Sequence, residues 1–174
     1  NLTYFLGEKK RAVILITSSI SGEGKTFTTI NLATVLALSG KKTLIVGADL
    51  RKPKLYNDFD LSNEKGLSTY LADLNSFDDI LQPTGVANLD LITGGPVPPN
   101  PSELVLSTKM EEFLEESRKR YEFVIIDSPP LAIVADAFLL ADRADHMIFV
   151  TRQDYTPKGL LRSVNEYYVT GRLK

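Results

Sequence analysis

Between Ala12 and Val46 the chain reads strand, glycine-rich loop, helix, strand, and that order leaves few folds open. The run "AVILIT" at 12–17 is continuously apolar, the pattern of a strand covered on both faces. "SSISGEG" follows as a loop. "KTFTTINLATVLALSG" carries apolar residues at helical spacing and closes on Gly40, a residue suited to the C′ position of a helix. "KTLIV" is a second short apolar run. A βαβ unit of this kind sets its two strands parallel and joins them by a right-handed crossover.

The rest of the chain continues the alternation. "GLSTYLAD" and "SFDDILQ" read as two short helices, and "NLDLITGG" as a strand of alternating character. "PVPPNP" is an extended loop stiffened by four prolines. "SELVLSTKMEEFLEESRKRY" reads as helix, with Ser102 or Ser107 as its N-cap. "EFVIID" is a third buried strand, stopped by "SPP"; "VADAFLLADRA" is helical, "DHMIFVT" a further strand, and a last helix follows Pro157. The fold class is therefore α/β: a mostly parallel sheet flanked by helices. The chain is read as a single domain over 1–174. In such sheets ligands sit at the carboxyl ends of strands, so the chemistry is expected in the loops after residues 17, 46, 127 and 151.

The first of those loops carries "SGEGKTF" between a strand and a helix, the context a phosphate loop requires. Gly22 and Gly24 let the backbone approach an anion, and the helix N-terminus adds unpaired N–H groups and its dipole. Lys25 is placed to reach the β- and γ-phosphates of a nucleotide, and the Thr26 hydroxyl to ligate Mg²⁺. The strict pattern has a glycine where this chain has Ser19. Asp127 closes the strand "EFVIID", where P-loop NTPases hold an acidic partner of Mg²⁺. Asp49 closes the strand after the phosphate-loop helix, so one lysine, one threonine and two carboxylates converge on a metal–triphosphate. Two carboxylates so close repel unless a cation lies between them. Arg51 faces either the phosphates or an acidic partner, or is a guanidinium in a surface turn. Arg152, after "FVT", is positioned to stack on adenine.

Composition removes several other classes. The 174 residues suffice for one compact domain with a sizeable core. The formal charge of −2 gives no reason to expect a nucleic-acid partner. With no cysteine, disulfides and thiolate metal sites are excluded. No apolar run approaches the roughly 18 to 20 residues that span a bilayer. Residues 1–11 read as the end of a helix that begins upstream, so a piece of a longer protein is expected.

The order of these motifs, phosphate loop, then "GADLRKP", then "VIIDSPP", resembles the bacterial tyrosine kinases of capsule and exopolysaccharide loci. "GLSTYL", "LDLITGGPVPPNPSELV" and "DSPPLAIVADA" are similar to stretches typical of that family. The resemblance implies the P-loop NTPase (MinD/ParA-like) architecture and an ATP- and Mg²⁺-dependent protein-tyrosine autokinase that regulates polysaccharide synthesis and export. It places Ser21, Gly22, Glu23, Gly24, Lys25, Thr26 and Phe27 around the phosphates, and Thr26, Asp49 and Asp127 at the metal, with an acidic group there taking the tyrosine proton. It also implies a ring-like homo-oligomer that phosphorylates a C-terminal tyrosine cluster in trans. A transmembrane activator, fused or separate, would hold it at the inner face of the membrane.

Three departures stand out. Many members carry two acids as D-x-D-x-R, and the first is Gly47 here. Replacing Gly47 by Asp is expected to preserve folding and to leave turnover unchanged or raise it. Ser21 stands where a proline is frequent. The tyrosine-rich tail and the N-terminal oligomerisation helix are absent from this stretch, and adjacent Tyr167 and Tyr168 read as one packed and one exposed. Two alternatives remain: a MinD/ParA-type switch ATPase, whose signature lysine would fall at Ile20, and a catalytically weak kinase-like adaptor.

Overall fold

The computed structural model describes residues 11–131 and 136–169. The expected helix end at residues 1–10 lies outside these, as does the start of the segment expected to be helical from Val134.

The elements follow in the order β1 (Ala12–Ser18), α1 (Lys25–Leu38), β2 (Thr43–Gly47), α2 (Leu55–Asp58), α3 (Leu67–Leu71), α4 (Phe77–Ile80), β3 (Leu81–Pro83) and β4 (Leu89–Ile92). Then come α5 (Pro101–Leu106), α6 (Thr108–Arg120), β5 (Phe123–Asp127), α7 (Asp136–Arg143), β6 (His146–Val150) and α8 (Lys158–Val169). They build a six-stranded sheet in the order β3-β4-β2-β5-β1-β6. Only the β3–β4 pair is antiparallel.

The continuous apolar runs are explained by the two cores they serve. Val13, Leu15, Leu44, Val46, Val124 and Ile126 point to one face, where Met110, Phe113 and Leu114 of α6 cover them. Ile14, Ile16, Ile45 and Ile125 alternate with these and point to the other, against Ala33, Leu36 and Ala37 of α1. A strand buried on both sides favours apolar side chains along its length, and the polar ones here, Thr17, Ser18, Thr43 and Asp127, fall at the strand ends. Each fully buried aliphatic side chain contributes roughly 1.5–3 kcal/mol relative to leaving it in water.

The ends of α1 differ in a way that matters for function. Its C-terminus is closed by a Schellman arrangement: Lys41 N–H donates to Leu36 O, Gly40 N–H donates to Ala37 O, and Gly40 has φ 84°. Its N-terminus is left open, because the N-cap is Gly24 and no side chain bonds the first turn. The N–H groups there have no intrahelical acceptor.

The long helix expected from Ser102 to Tyr121 is two helices. Ser107 takes an extended backbone (φ −64°, ψ 157°) between α5 and α6. It holds the N-cap position of α6 as expected, but its hydroxyl donates back to Leu104 O at 2.7 Å and does not bond the first turn. Asn100, followed by Pro101, begins α5, so Ser102 is not an N-cap.

Candidate active site

The sheet register brings the expected strand ends to one edge. Ile16 of β1 stands opposite Asp127 of β5, and Asp127 stands opposite Gly47 of β2. The loops after β1, β2 and β5 therefore open side by side, and a cleft of about 320 Å³ lies between them. Ser21, Gly22, Gly24, Lys25, Thr26 and Phe27 line it from the phosphate loop; Gly47, Asp49 and Arg51 from the loop after β2; and Asp127 from β5.

The phosphate loop holds Gly22 at φ 89° and Gly24 at φ 101°. Both lie in the left-handed region that L side chains rarely adopt, so the glycines are needed for the path of the chain. Ser19, at the first glycine of the strict pattern, is 2% exposed and does not line the cleft. Lys25 is 9% exposed and lines the cleft. Phe27 is on the first turn of α1 at the cleft rim, 73% exposed.

At the floor of the cleft the Thr26 hydroxyl donates to Asp127 Oδ2 at 2.8 Å, and the Thr29 hydroxyl reaches Oδ1 at 3.5 Å. Burial pushes the Asp127 carboxyl up to about 6; the Thr26 bond and the Lys25 charge act against that rise, and the Asp49 charge adds to it. Thr29 was not anticipated from the sequence. Its only signal is a polar residue one turn after Thr26 on the face of α1 that meets the sheet.

Asp49 Oδ1 accepts from the backbone N–H groups of Arg51 at 3.3 Å and Lys52 at 3.0 Å. This Asx-type turn orients its carboxyl at the cleft wall. Arg51 donates to the Ser102 hydroxyl at 2.7 Å, which ties the loop after β2 to α5. Lys52 and Lys54, not singled out from the sequence, also line the cleft.

Two expected nucleotide contacts are placed differently. The Glu23 side chain is 4% exposed and does not line the cleft. Its carboxylate accepts from Ile20 N–H at 2.7 Å and from the Thr156 hydroxyl. Arg152 likewise does not line the cleft: it donates to Gly22 O at 3.2 Å and lies 5.1 Å from the centroid of the Tyr155 ring. The local reason is proximity across the sheet edge, since β6 pairs with β1 and so delivers the loop after β6 onto the loop after β1.

The residues present fit Mg²⁺. Every side-chain donor at the cleft floor is oxygen, which suits a hard cation. Asp127 is raised chiefly by burial, with the Asp49 charge adding to it and Lys25 opposing it, and a cation bound there would favour the ionised form. Among the described residues no group of three or more histidines, cysteines and acids could hold a metal. A hydroxyl and one or two carboxylates match the sparse protein share that Mg²⁺ takes when phosphates and water supply the rest. Gly47 is hemmed in: a Cβ there would meet Gly94 N at 3.1 Å and Leu55 Cδ1 at 3.4 Å.

With this geometry in view, comparisons with known proteins are specific. The profile of the AAA domain family matches residues 11–170. Tyrosine-protein kinase YwqD of Bacillus subtilis is 38% identical over all 174 residues, which cover 73% of it. Tyrosine-protein kinase etk of Escherichia coli is 38% identical over 152 residues, 87% of this chain and 21% of that protein. The solved kinase domain of the Escherichia coli tyrosine kinase ETK superposes with a TM-score of 0.90 at 36% identity, covering 97% of this chain and 66% of that one. The septum site-determining protein MinD of Pyrococcus horikoshii superposes at 0.75 and 23% identity over 92% of this chain and 66% of that one, a likeness of fold alone. A relative matched along the whole chain, YwqD, and the etk kinase domain superposing over almost all of it establish that the chain belongs to the bacterial tyrosine-protein kinases, within the AAA domain family.

Proposed function

We propose that this chain is the catalytic domain of an ATP- and Mg²⁺-dependent protein-tyrosine kinase. The observation that carries the reading is the buried Thr26–Asp127 pair, 2.8 Å apart, at the foot of a helix whose N-terminus is left uncapped beside Lys25. In this reading the loop N–H groups and Lys25 hold the β- and γ-phosphates. Thr26, Asp127 and Asp49 hold Mg²⁺, which when bound neutralises charge on the transferred phosphoryl group. Asp49, at the cleft wall, takes the proton of the acceptor tyrosine. Arg51, Lys52 and Lys54 add positive charge along the same wall. The charges are balanced: four cationic side chains against two carboxylates leave +2 in the cleft, matching the −2 of Mg²⁺–ATP.

The family resemblance extends the proposal. The domain would act on a second copy of itself in a ring-like oligomer and regulate capsule or exopolysaccharide synthesis. A transmembrane activator would hold it at the membrane; no helix among the described residues is long and apolar enough to cross one. Tyr168, 67% exposed on α8, is accessible, while the side chain of Tyr167 lies outside the described residues.

The test is incubation of the complete protein with labelled ATP and Mg²⁺, followed by phosphotyrosine mapping. Phosphate on tyrosine is expected. ATP hydrolysis without phosphotyrosine would favour a switch ATPase, and neither would favour an adaptor; both outcomes would overturn the kinase reading.

A further inference from the structure

The loop between β6 and α8, residues 151–157, grips three consecutive residues of the phosphate loop, Ser21 to Glu23, through side chains that do not line the cleft. The Tyr155 hydroxyl donates to Ser21 O at 3.1 Å, and Arg152 donates to Gly22 O at 3.2 Å. The Thr156 hydroxyl donates to one oxygen of Glu23, whose other oxygen accepts Ile20 N–H at 2.7 Å. The gripping loop is itself braced: Arg152 N–H donates to the Thr156 hydroxyl at 2.8 Å, and Thr156 N–H donates to Arg152 O at 2.9 Å. Contact is close enough that a Cβ on Gly22 would lie 2.8 Å from the Tyr155 hydroxyl.

We infer that this loop is a clamp that preorganises the phosphate loop for the nucleotide, with Thr156 and Glu23 as its positioning residues and Tyr155 as a second point of hold. The inference rests on the nucleotide-binding reading given above. The physical reason is the shape of the phosphate loop. Gly22 and Gly24 sit at φ 89° and 101°, and glycine loses the most conformational freedom when it is fixed. A loop left to itself would populate its anion-ready shape only part of the time, and apparent affinity falls by that fraction. The Glu23 carboxylate counters this twice. It bridges Ile20 to Glu23 across the turn, and it anchors that turn to Thr156 on a different strand end. Glu23 is 4% exposed and both bonds are partly buried, and bonds to a charged acceptor are the stronger kind. None of Glu23, Arg152, Tyr155 and Thr156 lines the cleft, so their effect on nucleotide must pass through the loop.

The experiment uses Thr156→Val, Thr156→Ser and Tyr155→Phe in the complete protein, with two readouts. The first is amide hydrogen exchange of residues 20–26 without nucleotide. The second is the affinity for Mg²⁺–ADP, with KM for ATP and kcat beside it. Thr156→Val should speed exchange of the loop amides and weaken Mg²⁺–ADP about tenfold, the scale of losing one hydrogen bond to a charged group. KM should rise by a similar factor while kcat moves less than about threefold. Thr156→Ser keeps the hydroxyl and should restore all three. Tyr155→Phe should weaken binding about threefold, and it decides the matter if Thr156→Val does not fold. Unchanged loop exchange and affinity in a folded Thr156→Val, or in Tyr155→Phe if that variant alone folds, would overturn the clamp. So would a loss that Thr156→Ser fails to rescue. Should the parent bind no Mg²⁺–ADP, the nucleotide reading falls, and the exchange readout still decides the clamp on its own.

Discussion

Gly47 is where the chain departs most from the two-acid motif it resembles, and the structure attaches a calculable cost to restoring the acid. Two variants separate the terms. Gly47→Ala adds only a Cβ, which meets backbone at Gly94 N at 3.1 Å and the flexible Leu55 at 3.4 Å. One tight backbone contact sits at the low end of overpacking, roughly 1–2 kcal/mol, or about 2–8 °C in Tm for a chain of this size. Gly47→Asp adds a charge as well. Gly47 and Asp127 are paired in register, and their neighbours Ile45 and Ile125 share one core, so both side chains lie on the α1 face. Adjacent strands are about 5 Å apart, and at an effective dielectric constant near 20 two carboxylates at that distance repel by about 3 kcal/mol. The metal-free protein has a cheaper escape. Asp127 already titrates at about 6, so taking up a proton at pH 7 costs only about 1.4 kcal/mol. The electrostatic penalty of Gly47→Asp over Gly47→Ala should therefore be near zero at pH 6, about 1.4 kcal/mol at pH 7 and about 3 kcal/mol at pH 8, and Mg²⁺ with nucleotide should close the gap. Thermal unfolding of parent and both variants at the three pH values, in EDTA and then in Mg²⁺–ADP, checks each step. If Gly47→Ala melts with the parent, the steric argument is wrong. A gap between Asp and Ala that stays flat with pH, or survives Mg²⁺–ADP, refutes the shared-face placement of residues 47 and 127.

Three further outcomes are expected. Lys25→Met should lower ATP-dependent tyrosine phosphorylation by about 10²-fold or more, since it removes a fixed charge placed on the transferred phosphoryl group; a phosphotyrosine blot against parent protein is the check. The raised Asp127 binds its proton more tightly in the folded chain than in the unfolded one, so in the metal-free protein its contribution to stability is complete below about pH 4 and is lost as pH rises through about 6. Asp127→Asn should flatten that segment of a pH–Tm curve, and a curve with unchanged slope would count against the buried carboxyl. Because Mg²⁺ requires the ionised form, Mg²⁺–ADP affinity should climb through about pH 6 in the parent and lose that climb in Asp127→Asn, as titration calorimetry at several pH values would show.

Much of this protein was legible in the chain itself. Apolar runs without interruption, such as Ala12 to Thr17, cannot belong to a half-exposed strand, so they dictated a sheet covered on both faces, and the strand–loop–helix–strand order dictated that it be parallel. The same local logic located Lys25, Thr26, Asp49 and Asp127, because residues at strand ends in a parallel sheet have one edge to go to. Local reasoning failed where a contact joins distant parts of the chain. Nothing in "SGEG" reveals that Glu23 turns to Thr156, 133 residues away, nor that Arg152 meets Gly22. Those partners exist only because β6 pairs with β1 and brings its loop alongside. Likewise the sequence showed Gly47 as a missing acid, and only the packing of Gly94 and the register with Asp127 set the cost of supplying one. Periodicity and punctuation act over a few residues and so determine the elements and their class. Tertiary pairing decides which loops touch, and with that the electrostatics and rigidity of the site.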